Sequence, residues 1–167
     1  MEKLKKAEAL LLGLESALLA LILTSLVVLS FGQVFLRQFF SAGLLWGDTL
    51  GRHLVLWVGF LGAAIAAAEE KHFAFETLAS HLPSRLRKAA AVLTRLVAVT
   101  VALLLAKAAW DFMLDEKTAA LALFRVGEFA APRWIFASIV PLGFFLVALH
   151  TALRGILPAP ERKGSRL

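Results

Sequence analysis

Four long apolar runs separated by short charged segments organise the chain. The first is uncharged from Ser16 to Leu36 and predicts a helical span over about residues 16–37. Roughly 20 apolar residues at 1.5 Å rise cross a hydrocarbon layer about 30 Å thick. The second run is uncharged only from His53 to Ala68. It reaches full length over 47–68 if its helix starts near Trp46 and Arg52 snorkels to the interface. A third span is predicted over 89–112, with Arg95 and Lys107 near opposite ends, and a fourth over 134–153. Residues 154–167 form a polar tail containing Pro158 and Pro160. The pattern predicts an all-α integral membrane protein with four transmembrane helices, built as a single membrane domain over 1–167.

Two further segments carry an apolar stripe without being long enough to cross. Leu4, Ala7, Leu11, Leu14 and Leu18 share one helical face, so the first helix is expected to begin on the membrane surface before turning in. Its apolar run exceeds the 7–15 residues of a signal-peptide core and no A-x-A-like site follows, so it is read as a retained span. Between spans two and three, Phe75, Leu78, Ala79, Leu82 and Leu86 follow helical spacing beside Arg85, Arg87 and Lys88. That segment reads as an amphipathic helix on the lipid surface, broken or restarted at Pro83.

Composition agrees with the pattern. Hydrophobic residues make up 60% of the 167, against about 45–50% in soluble domains, and mean hydropathy is +0.80. A soluble fold this small could not hide so much apolar surface. The net charge is 18 − 12 = +6, but the basic residues fall between apolar runs and no nucleic-acid-reading motif accompanies them. They orient the chain instead. Twelve Lys and Arg lie on the side shared by both termini and the middle loop, and six lie on the other side, which predicts cytoplasmic termini. With no cysteine, disulfides, thiolate metal sites and cysteine nucleophiles are excluded.

The span centres are chemically sparse. They offer Thr24, Ser25, Ser30, Gly59, Gly62, Thr100, Ser138 and Pro141, and no ionisable group. Transporters and proton relays normally place such groups within the membrane, so no coupling site is expected in this chain alone. Nucleophile motifs, phosphate-binding glycine loops and metal-spaced carboxylates are missing, so neither an enzyme nor a cofactor is expected. Two other membrane classes remain open. A redox-complex anchor would need histidines at matching depth for haem or quinone, and His53 and His150 sit near opposite faces. A small four-span exporter would need a carboxylate in the membrane. Glu15, one residue before the first uncharged run and near lysines, reads as a surface group.

Two constellations stand out. Trp46-Gly47-Asp48-Thr49-Leu50-Gly51-Arg52 opens the second span. Asp48 and Arg52 are spaced i,i+4, so their side chains are expected to pair, with Asp48 at the favourable end of the helix dipole. Trp57 continues the aromatic face. Gly59, Ala63 and Ala67 then recur every fourth residue, as do Gly62 and Ala66. Small residues at that spacing let another helix approach closely, inside this bundle or on a partner.

From Trp46 through Glu76 the chain resembles the small permease subunit of tripartite ATP-independent periplasmic (TRAP) transporters. The resemblance rests on Trp46, Asp48 and Arg52, then Phe60-Leu61-Gly62-Ala63-Ala64, then His72 with Glu76. Leu82-Pro83 and the Pro132-Arg133-Trp134 … Pro141-Leu142-Gly143 pattern extend it to roughly residues 25–153. Thr49 stands where the family has a second acid, Ala68 where it usually has Arg, and Glu70-Lys71 displace its small residue before His72. The resemblance implies a non-catalytic subunit of the bacterial inner membrane. It would brace a large permease during sodium-coupled uptake of an organic anion delivered by a periplasmic binding protein. Membrane lipid is the remaining partner.

Overall fold

The computed structural model describes residues 2–69 and 84–156. In chain order these form α1 (Glu2–Phe40), α2 (Leu45–Glu69), α3 (Ser84–Thr118), the strands β1 (Ala122–Val126) and β2 (Phe129–Pro132), the short helix α4 (Arg133–Ala137) and α5 (Ile139–Ile156). Four stretches are long and apolar enough to cross a membrane: Glu2–Phe40, Leu45–Ala68, Ala89–Thr118 and Arg133–Arg154, the last made of α4 and α5 together. The predicted connector helix between spans two and three, apart from its last residues, lies outside the described residues. So do His72, Glu76, Pro83 and the tail after Ile156.

α1 is one uninterrupted helix of 39 residues, so the N-terminal amphipathic segment and the first span share an axis and the expected turn between them does not occur. α1 closes at Ser41, which adopts a left-handed φ of 49°, with the Ala42 amide donating back to the Leu36 carbonyl at 3.4 Å. That bond reaches one residue further back than the six-to-one bond of a Schellman motif, and the left-handed stop is made here without the usual glycine.

α1 packs on α2, α2 on α5, and α5 on α3. The core between the first three holds Ile22, Leu61 and Ile139, with Leu19, Leu54, Trp57, Val58, Phe60 and Val140 packed around it. α3 contributes Ala102, Ala109 and Met113, buried at one- and two-turn spacing. Most other large apolar side chains of α1 and α3, such as Val27, Phe31, Val34, Leu96 and Leu104, are exposed on the isolated chain. That is the pattern of helices surrounded by lipid or by another membrane protein.

A two-stranded hairpin joins α3 to α4, where the apolar pattern gave no strand. Its register pairs Val126 with Phe129 across Gly127-Glu128. Gly127 has φ +59°, as the first central residue of a type II′ turn requires. Leu123 is the extra residue of a bulge between the Ala122–Pro132 and Phe124–Ala131 pairs. The Arg133 amide donates to the Leu121 carbonyl at 3.0 Å and closes the hairpin base. The fourth span is then interrupted at Ser138. Pro141 has no N–H to offer the Ala137 carbonyl, which breaks the helical ladder one turn upstream. Ser138 fits the break because its hydroxyl donates to the Ile135 carbonyl at 2.6 Å.

Candidate partner interface

At the end of the bundle away from the termini, Asp48 does not pair with Arg52 as its spacing suggested. The Gln33 amide of α1 donates to Asp48 Oδ1 at 2.8 Å and accepts the Asp48 backbone N–H at 3.0 Å. That N–H is one of the donors left without an intrahelical partner at a helix start, so Gln33 caps α2 from the neighbouring helix. Arg52 Nε instead donates to the Asp48 main-chain carbonyl at 3.3 Å. Gly47 makes the arrangement possible, since a Cβ there would collide with the Gln33 side chain. The i,i+4 pairing fails because the Gln33 amide takes the Asp48 carboxylate at one end and the Asp48 N–H at the other.

The aromatic residues of this end do more than anchor. Trp46 stacks on Phe124 of β1 at 5.7 Å between centroids, and Phe124 lies 6.1 Å from Phe136 of α4. The Trp57 indole donates to the Phe136 carbonyl at 3.0 Å, so α2 holds the irregular start of the fourth span. Arg133, just after Pro132, meets Glu116 of α3 at 3.2 Å. Lys117 Nζ sits 5.3 Å above the Trp134 ring, a cation–π contact. Pro132 and Trp134 thus belong to the joint between hairpin, α3 and α4, and Pro141 is buried in α5.

The small residues of α2 divide by face. Leu61, Ala64 and Ala68 are at most 2% exposed and face the core. Gly59, Ala63 and Ala66 lie on the opposite face and are exposed, with Gly62 between. A Cβ added at Gly59 or Gly62 would meet nothing within 4 Å. The close helix approach inside the chain occurs at Gly143 of α5 instead, where a Cβ would overlap the Phe60 ring and lie 2.7 Å from its Cβ.

At the opposite end the sequence reading of two residues is overturned. Glu15 is 4% exposed and His150 0%. His150 Nε2 lies 3.0 Å from Glu15 Oε1 and 3.2 Å from Oε2. Neither is a surface or interfacial group: together they bridge α1 to α5. One turn on, Arg154 approaches Glu8 at 3.8 Å. A usable signal was present in the two acids a heptad apart and the two bases one turn apart, but nothing linked the pairs across the chain. With Nε2 held by Glu15, His150 is not placed to face another histidine across a haem.

A bundle whose polar contacts tie its own helices together, and whose α2 leaves a smooth face outside its own core, defines a multi-pass helical membrane protein. The chain matches the family described as tripartite ATP-independent periplasmic transporters, DctQ component, over residues 26–158. It belongs to that family, and the four spans and the family make it a multi-pass inner-membrane protein. Among relatives, a Haemophilus influenzae (strain ATCC 51907 / DSM 11121 / KW20 / Rd) protein named as a TRAP transporter small permease is 36% identical over 62 residues, 37% of this chain and 38% of that protein. The C4-dicarboxylate TRAP transporter small permease protein DctQ of Vibrio cholerae serotype O1 is 24% identical over 100 residues, 60% of this chain and 43% of that one. The sialic acid TRAP transporter permease protein SiaT of Haemophilus influenzae (strain 86-028NP) is 32% identical over 56 residues, 34% of this chain and 9% of the larger protein. The matches thus span less than half the length of each relative.

Proposed function

We propose that this chain is the non-catalytic small membrane subunit of a TRAP-type secondary transporter, bracing a large permease that imports an organic anion with sodium. In this reading a periplasmic binding protein delivers the anion, and both termini lie in the cytoplasm. The observation that supports it most is the exposed Gly59–Ala63–Ala66 face of α2. The chain completes its core on the opposite side of the same helix, so this face is free to receive a helix of the large subunit. The residue-by-residue likeness of Trp46, Asp48, Arg52, His72 and Glu76 to the family points the same way.

The deciding experiment is Gly62→Leu in the co-expressed complex. The added side chain enters open space in the isolated chain, so its own stability should change by no more than about 0.5 kcal/mol. Overpacking at a helix interface costs about 1–3 kcal/mol, so recovery of the large permease by co-purification should fall. Unchanged recovery would mean that this face looks at lipid. Reconstituted alone with a sodium gradient, the chain should move no organic acid, and sodium-driven uptake by the lone chain would contradict the bracing role. A fluorescent-protein fusion after Leu167 should be bright and a periplasmic phosphatase fusion at the same place silent. The reverse pattern would invert the topology.

A further inference from the structure

A cavity of about 810 Å³ lies between α1 and α2 toward the ends opposite the termini. Its upper part presents Arg37 and Gln38 from α1 and Arg52 from α2, and its lower part Leu26, Leu29, Val34 and Val55. We propose that this groove binds a glycerophospholipid of the leaflet opposite the termini, with its phosphodiester held by Arg37 and Arg52 and one acyl chain laid along the aliphatic residues below.

The charge arrangement calls for an anion. Among the described residues neither guanidinium has a carboxylate within ion-pair distance. Arg52 uses Nε on the Asp48 carbonyl, which leaves its terminal nitrogens for an external group. Asp48 also lines the groove, but its carboxylate is engaged by the Gln33 amide. Two guanidiniums therefore stand against one carboxylate. A lone Arg at a helix end reaches water by snorkelling. Here two converge from different helices on one concavity, a geometry suited to phosphate oxygens.

The dimensions select a lipid over a soluble anion. From Leu26 to Arg37 along α1 is 11 residues, or about 16 Å, close to half of a hydrocarbon layer of about 30 Å. The groove thus runs from headgroup level to near the bilayer centre, the depth of one leaflet. Its aliphatic walls open outward, with Val34 67% and Val55 57% exposed. A free anion would have no use for that floor, whereas an acyl chain covers it. The inference stands whether or not the chain braces a large permease.

Native mass spectrometry of the purified full chain in detergent, titrated with phosphatidylglycerol, tests it. The wild type should retain one lipid, diacylglycerol of the same chains should not bind, and inorganic phosphate should not displace the lipid. Arg37→Gln with Arg52→Gln should weaken retention by about tenfold or more. Val55→Trp, which fills the groove and keeps both charges, should also weaken it. Arg125→Gln, the loss of an exposed charge near the end of β1, should leave it unchanged. Retention within about twofold of wild type in the double variant, an equal loss in Arg125→Gln, or displacement by phosphate would each overturn the proposal.

Discussion

Replacing His150 with Leu is expected to destabilise the purified chain by about 3 kcal/mol, seen as a lower thermal midpoint in detergent. The cost comes from Glu15, whose carboxylate is 4% exposed and receives only the His150 ring among the described residues. Removing the hydrogen-bond partner of a buried polar group costs about 1–3 kcal/mol, and more for a charged one, because the other group is left without a partner or water. The distinguishing result is the double variant. Glu15→Leu together with His150→Leu leaves no orphan and should recover most of the loss, since well-packed apolar replacements of buried pairs are often neutral or better. If the single variant loses nothing, the pair is accessible to water in solution. If the double variant is worse than either single one, the pair contributes net binding between α1 and α5.

The second large effect is expected at Gly143. There a side-chain carbon would overlap the Phe60 ring, and Phe60 packs against the Ile22–Leu61–Ile139 core. Phe60 also meets Phe144 edge to face at 5.1 Å, so its ring has little freedom to move aside. Gly143→Leu should cost about 3 kcal/mol, the upper part of the overpacking range, and lower both the folded yield and the thermal midpoint of the isolated chain. Gly62→Leu is the matched control on the facing helix, where the same substitution meets open space. The two glycines look alike in sequence, yet one should disturb folding and the other only assembly. Equal effects of both on the isolated chain would place the α2–α5 contact elsewhere.

The parts legible in the sequence were those fixed by local chemistry. Each span could be read because an apolar run of about 20 residues has one good solution in a bilayer. The hairpin carried a local sign, Gly127 followed by Glu128 between apolar segments, but its strands are too short to show alternation. What stayed hidden depended on separation along the chain. Glu15 and His150 are 135 residues apart, and each sits beside the end of an apolar run, where a charged or polar group normally meets water. Asp48 and Arg52 misled for the opposite reason. Their spacing was local and favourable, but Gln33 on the adjacent helix offered Asp48 two hydrogen bonds at once. The glycines of α2 showed where close packing is sterically possible, and only the fold shows which face the chain uses itself.

Two of the polar ties of α1 have a joint meaning that neither has alone. One is made by Gln33 to Asp48 and the other by Glu15 to His150. They are 18 residues apart on a continuous helix, about 27 Å along its axis, close to the typical hydrocarbon thickness of about 30 Å. α1 cannot slide lengthwise without breaking both, so its apolar stretch is held at a fixed length between two fastenings. Helices without such ties adapt to thicker or thinner bilayers by tilting or shifting at small cost per ångström. This one must carry its neighbours with it, and hydrophobic mismatch becomes a load on the whole bundle rather than on a single helix.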